Sequence, residues 1–213
     1  MEGQLSFFEE ELDNKSQIVK PPSDRQTDRQ TDRQTDRQTD RQTFFRRCGI
    51  NKGGKDEWYT PKEAVEIIVP YIKEGSRILC PFDTEDSEFV KILKEKDFDV
   101  AYSHINTGTD FFKLDKPDVD YIISNPPFSK RDQVLKKLYE WQIPFAMVFN
   151  STGLFDSRIR ISLAKQFGAE VIYIYPRVKF IDSDGDKNNP PFQSCYWCYK
   201  ILPNKLVFEF MES

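Results

Sequence analysis

The sequence predicts an α/β fold: a mostly parallel, twisted sheet with helices on both faces. Three observations lead there. Short runs rich in β-branched and aromatic residues recur at 77–82, 98–105, 119–124, 144–149 and 170–175, the composition of strands buried in a sheet. Segments with helical character at 86–96, 129–141 and 157–167 fall between them, and such alternation is what parallel strands joined by crossover helices require. The last two apolar segments, 192–201 and 206–208, follow without a helix between them, which predicts an antiparallel finish.

The chain has 213 residues, a formal net charge of −4 and a pI near 5.3. One domain of ordinary size is expected, and a nucleic-acid partner has to be met by a local basic face. No apolar run approaches the ~18 residues of a membrane helix, and the N-terminus lacks the basic-then-apolar order of a signal peptide. The expected compartment is the cytoplasm, with reduced thiols. Of the four cysteines, Cys195 and Cys198 have zinc-knuckle spacing, but no second pair follows and His104 is the only histidine. On a strand, positions three apart point to opposite faces. Asp182, Asp184 and Asp186 are spaced like calcium ligands, yet Gly185 precedes the third acid and Gln193 stands at the twelfth position, which breaks the loop pattern. No metal site is expected.

Four regions follow from composition. Residues 1–23 form a tail carrying Phe7, Phe8, a run of acids and Pro21-Pro22. Residues 24–43 are five copies of Asp-Arg-Gln-Thr; with no apolar residue and charges that cancel, nothing offsets the entropy of ordering them, so a disordered linker is expected. An uninterrupted GACA tetranucleotide encodes this peptide in every reading frame, and gain or loss of one unit shifts the frame downstream. The hypothesis is a phase-variable gene; codons other than pure GACA units in this tract would exclude it. Residues 44–55 are basic and glycine-containing (Arg46, Arg47, Lys52, Lys55), able to touch phosphates. The folded domain is placed at 56–213.

Within that domain, Thr60 is a candidate N-cap, with Pro61 at the first helical position and Glu63 completing a capping box. Arg77 to Phe82 reads as the first strand and Asp110 precedes Phe111 and Phe112 in a loop. The stretch 119–128, VDYIISNPPF, is a buried strand that stops where Asn125-Pro126-Pro127-Phe128 forbids further pairing. Two prolines fix φ and remove two N–H donors, so the Asn125 amide and the neighbouring carbonyls are held stiffly as acceptors beside an aromatic ring. That suits an amino group on a planar ring. A second Asn-Pro-Pro-Phe at 189–192 follows a polar stretch and reads as a loop. Ser129 is the expected cap of the next helix, and Lys130, Arg131, Arg177 and Lys179 are the candidate nucleic-acid contacts.

These residues resemble a known family, the phage-type N6-adenine DNA methyltransferases. Asn125 to Phe128 resembles their motif IV, Gly108 to Phe112 their motif III, and Trp58-x-Thr60-Pro61 their motif X. The resemblance covers about residues 56–210. It implies a Rossmann-like class I methyltransferase fold, S-adenosylmethionine as cofactor, and Trp58, Thr60, Pro61, Pro81, Phe82, Asp83, His104, Asp110 and Phe111 as its contacts. It also implies Asn125, Pro126, Pro127 and Phe128 as the catalytic group. Where the family has a glycine-rich cofactor turn, this chain has Thr84 and Asp86.

The function implied is methyl transfer to the exocyclic amino group of adenine in DNA, with RNA as the other possible substrate. The alternative is a methyltransferase-fold protein without activity that binds nucleic acid or a protein; the absent glycines motivate it.

Overall fold

The computed structural model describes residues 59–181, 187–188 and 192–212. The tail, the repeat, the basic segment, Trp58, the acids at 182–186 and the residues 189–191 lie outside them. The elements run α1 (Lys62–Glu66), β1 (Arg77–Cys80), α2 (Glu88–Glu95), β2 (Asp99–Tyr102), β3 (Tyr121–Ser124), α3 (Arg131–Trp141), β4 (Phe145–Asn150), α4 (Arg158–Phe167), β5 (Glu170–Tyr175), β6 (Phe180–Ile181), β7 (Lys187–Asn188), β8 (Ser194–Tyr199) and β9 (Leu206–Phe210).

Seven strands form one sheet in the order β2-β1-β3-β4-β8-β5-β9, and β6 and β7 form a separate two-stranded ribbon. The pairs β1–β2, β1–β3 and β3–β4 are parallel. Strand β8 lies between β4 and β5 and runs antiparallel to both. The antiparallel finish is therefore carried by β8 alone: the last two strands do not pair with each other, since β5 lies between them, and β9 pairs parallel to β5 at the outer edge. The expected run at 206–208 extends to Phe210.

Strand periodicity divides the core into two halves. Ile78, Cys80, Ile123, Ala146, Val148, Ile172, Tyr196 and Cys198 point to one face, where α1 and α2 supply Ala64, Val65, Phe89, Val90, Ile92 and Leu93. Their neighbours Leu79, Ile122, Phe145, Met147, Val171, Cys195 and Trp197 point to the other, under Val134, Leu135, Leu138 and Tyr139 of α3. Helices thus cover both faces, and the Cys195 and Cys198 thiols sit on opposite sides of the sheet, as period-two geometry demands. Burial pushes both thiols up, Cys195 to about 12.

Two helix starts differ from expectation. Helix α1 begins at Lys62 with Pro61 as its N-cap and no side-chain cap bond; proline at this boundary leaves the Thr60 hydroxyl uninvolved. Helix α3 begins at Arg131, after a 3-10 turn over Phe128–Lys130, with Lys130 and not Ser129 at the cap. Helix α2 is capped by Ser87, whose Oγ accepts from Val90 N at 3.3 Å, a bond that contributes about 1 kcal/mol. Among the described residues, no helix is long and apolar enough to cross a membrane.

Candidate active site

Strand order reverses at β1. From β1 the chain moves outward to β2, then returns to place β3 on the other side of β1. At such a switch point the loops leaving neighbouring strands diverge and open a crevice at their carboxyl ends. The cleft lies there, with a volume of about 370 Å³, within the range of small-molecule sites.

The turn after β1 and the segment after β3 form two of its walls: Pro81, Phe82, Asp83 and Thr84 from the first, Asn125, Pro126, Pro127 and Phe128 from the second. Thr60, His104, Asp110 and Phe111 complete it, with Tyr59, Phe112 and Lys130. The structure thus brings together every described residue expected to serve cofactor or catalysis except Pro61, which caps α1 beside Thr60.

Asp83 joins the two walls. It is 7 % exposed, accepts from the Ser124 hydroxyl at the end of β3 and donates its backbone N–H to Ser103 O at 3.1 Å. Burial pushes its carboxyl up to about 6, against the Ser124 and Ser87 hydroxyls, which favour the charged form. Because Ser124 directly precedes Asn125, this bond anchors the base of the Asn-Pro-Pro-Phe segment to the first turn.

Asp110 does two things at once. Its Oδ1 accepts from Phe112 N at 3.0 Å and caps the 3-10 turn over Phe111–Lys113, while the residue still lines the cleft. The turn is also held from below, where Lys137 Nζ donates to Phe112 O at 2.8 Å and Leu114 O at 2.7 Å. Phe111 is 3 % exposed and wedged between Phe82 and Trp141, at centroid distances of 4.8 and 5.3 Å. The more open ring beside it is Phe112, over which Lys130 Nζ sits at 5.3 Å. His104 is partly engaged locally: its Nδ1 accepts from Asn106 N at 3.2 Å, which leaves Nε2 as the protonated nitrogen by assignment from that bond.

Phe128 meets an unexpected partner. Phe192, last residue of the second Asn-Pro-Pro-Phe, packs edge-on against it at 6.0 Å. The repeated tetrapeptide was the only sequence signal for this contact. Sequence reasoning likewise missed Ser87 and Ser124, because isolated serines carry no periodicity.

The basic residues separate. Lys130 is exposed at the cleft mouth, whereas Arg131 is turned inward: its Nε donates to Phe128 O at 3.1 Å and its Nη1 to Asn150 Oδ1 at 2.7 Å. Burial and the nearby Arg160 lower its pKa. Arg131 is thus not the exposed loop cation expected, and ties the Asn-Pro-Pro-Phe segment to the end of β4. Arg177 and Lys179 are exposed between β5 and β6 and are not among the residues that line the cleft.

The donor set fits a nucleoside-bearing cofactor. Thr60 is 5 % exposed, and its Oγ1 is buried without a hydrogen-bond partner among the described residues, so a polar ligand atom would satisfy it. Asp86, one of the residues standing in for a glycine, is exposed and outside the lining; Thr84 is inside it. No group of three or more metal-ligating side chains occurs among the described residues.

No family model matches the sequence. No curated protein matches it either. Solved structures align with it at low identity. One is a protein described as the modification subunit of a type I restriction enzyme from Vibrio vulnificus YJ016, with 12 % identity, 81 % of this chain and 50 % of that chain covered, and a TM-score of 0.43. Another is a type I restriction-modification methyltransferase subunit from Streptococcus thermophilus, with 12 % identity, 74 % and 48 % covered, and a TM-score of 0.47. A dimethyladenosine transferase from Plasmodium falciparum aligns with 14 % identity over 67 % of this chain and 63 % of its own, at a TM-score of 0.44. The chain spans about half the length of the two restriction-system subunits. Its own sheet, parallel except for β8 inserted between β4 and β5, with helices on both faces and a cleft at the switch point, is a Rossmann-like α/β fold.

Proposed function

We propose that the protein transfers a methyl group from S-adenosylmethionine to the N6 amino group of adenine in DNA. The observation that carries this reading is the convergence of Asn125-Pro126-Pro127-Phe128 and Asp110 on one cleft at the switch point. When bound, S-adenosylmethionine supplies an electrophilic methyl group on a sulfonium. In this reading Asp110 accepts from the cofactor's adenine amino group, and the Thr60 hydroxyl meets one of its polar atoms.

An adenine stacked in a duplex cannot bring N6 into such a cleft, so the target base is flipped out and rests on Phe128. The Asn125 side-chain oxygen and the Pro126 carbonyl would accept hydrogen bonds from the two N6–H groups, turning the nitrogen lone pair out of ring conjugation and towards the electrophilic methyl carbon; methylation would release the cofactor's thioether as leaving group and one N6 proton to solvent. Positioning is the main contribution to rate. Lys130 at the mouth is the candidate phosphate contact, with Arg177 and Lys179 further out.

The test is twofold. Calorimetric titration with S-adenosylmethionine is expected to show micromolar binding that Asp110→Ala removes. Methyl transfer to DNA is expected to fall at least about a hundredfold in Asn125→Ala with cofactor affinity unchanged, the pattern of an interaction made in the transition state. Absence of cofactor binding by folded protein, with and without DNA, would favour the inactive nucleic-acid- or protein-binding alternative.

A further inference from the structure

The two edges of the sheet are built differently. Strand β2 is four residues long, begins with Asp99 and includes the small Ala101, the short and partly charged edge that discourages pairing. Strand β9 is five residues long and presents Leu206, Phe208 and Phe210, which are 50 %, 67 % and 73 % exposed, with Tyr175 of β5 beside them at 64 %. The rings form a ladder: Tyr173 lies 6.0 Å from Phe208 and Tyr175 lies 5.8 Å from Phe210.

Backbone direction adds to this. Val171 N donates to Lys205 O at 2.9 Å and Met211 N donates to Tyr175 O at 2.7 Å. Within a strand, the N–H and C=O of successive residues alternate sides. Those of 205, 207, 209 and 211 therefore turn towards β5, and those of Leu206, Phe208 and Phe210 turn outward from the edge. The three most exposed apolar residues of β9 are also the three with outward-facing backbone groups.

We propose that β9 is a homodimer interface, pairing antiparallel with β9 of a second copy about a two-fold axis at Phe208. This register is self-complementary. Phe208 stands opposite its counterpart, and Leu206 stands opposite Phe210 in both directions, with all three as hydrogen-bonded pairs. On the other face Lys205 lies diagonal to the second copy's Glu209, within reach of a long side chain. Taking about 200 Å² for a whole aromatic side chain, the exposed portions of these four residues amount to about 500 Å² per copy. Complete covering of these portions in both copies would bury about 1,000 Å² from side chains, an upper limit that reaches the lower bound for a specific interface. An isologous contact of this kind closes on itself and adds no further copies.

Sedimentation of the full chain from about 1 to about 100 µM tests this by mass action. The expected mass is twice 25.1 kDa at the upper end, falling towards 25.1 kDa on dilution. Phe208→Pro deletes an N–H that faces away from β5, so the chain's own ladder keeps its bonds while the intermolecular one does not; Phe208→Lys places two like charges at the axis. Each is expected to weaken association at least about tenfold. Circular dichroism checks folding, with Leu206→Lys substituted if either variant fails it. A wild-type chain that stays monomeric throughout overturns the proposal, its edge then being covered by other residues of the chain or another protein. A dimer indifferent to the folded variants overturns it too.

Discussion

Replacing Asp83 by asparagine keeps an acceptor for the Ser124 hydroxyl and removes the ability to ionise. Burial raises the carboxyl from 3.8 to about 6 in the folded chain, so the folded state holds this proton more tightly than the unfolded one. The sign follows by linkage: the stabilisation from proton uptake is complete below pH 3.8 and is lost as pH rises through about 6. At about 1.36 kcal/mol per unit, the shift amounts to about 3 kcal/mol at full ionisation. The wild-type protein bears that cost at pH 8 and little of it at pH 4. Other titrating groups are common to both proteins, so the difference between wild type and Asp83→Asn isolates this one. Urea melts at pH 4 and pH 8 are expected to show the variant gaining on wild type by about 2 to 3 kcal/mol between the two. A difference that does not move with pH would refute the assignment of a strained, buried carboxylate at the join of the two cleft walls.

Other perturbations read the remaining supports. Thr60→Val removes a buried hydroxyl without a partner among the described residues, so thermal stability is expected to hold or rise while cofactor affinity falls by about tenfold, near 1.4 kcal/mol. Lys137→Met frees the Phe112 and Leu114 carbonyls and is expected to cost about 1 to 3 kcal/mol in denaturant melts, with weaker cofactor binding through the loosened Asp110 turn. Arg131→Lys keeps the charge but cannot reach Phe128 O and Asn150 Oδ1 together; methyl transfer is expected to drop about tenfold at unchanged salt dependence, whereas a phosphate contact would alter that dependence.

Much of the fold was legible because it rests on local patterns. Strand β5 was expected at 170–175 and occurs at Glu170–Tyr175, since a continuous β-branched and aromatic run bounded by a polar turn has few other uses. Helices α2 and α4 came within about two residues for the same reason. The site was legible where stiffness is written into the chain, as at Asn125-Pro126-Pro127-Phe128. It was illegible where a role depends on a partner distant in sequence. Arg131 beside Lys130 looked like a second exposed cation, and only Asn150 and the Phe128 carbonyl reveal it as a tie. Phe111 looked like a ring open to a ligand, and Trp141 and Phe82 make it core.

Residue order along the chain, through its alternation of strand and helix and its proline-locked segment, was enough to establish the α/β class and the segment around which the cleft forms. It could not establish that β9 lies parallel to β5 at the edge, that Phe192 abuts Phe128, or that Asp83 bridges to Ser124. Those facts arise from contacts between residues 35 to 64 positions apart. Periodicity and propensity act over a turn or a strand, whereas the pairing of distant segments is decided by which arrangement buries both faces of the sheet at once.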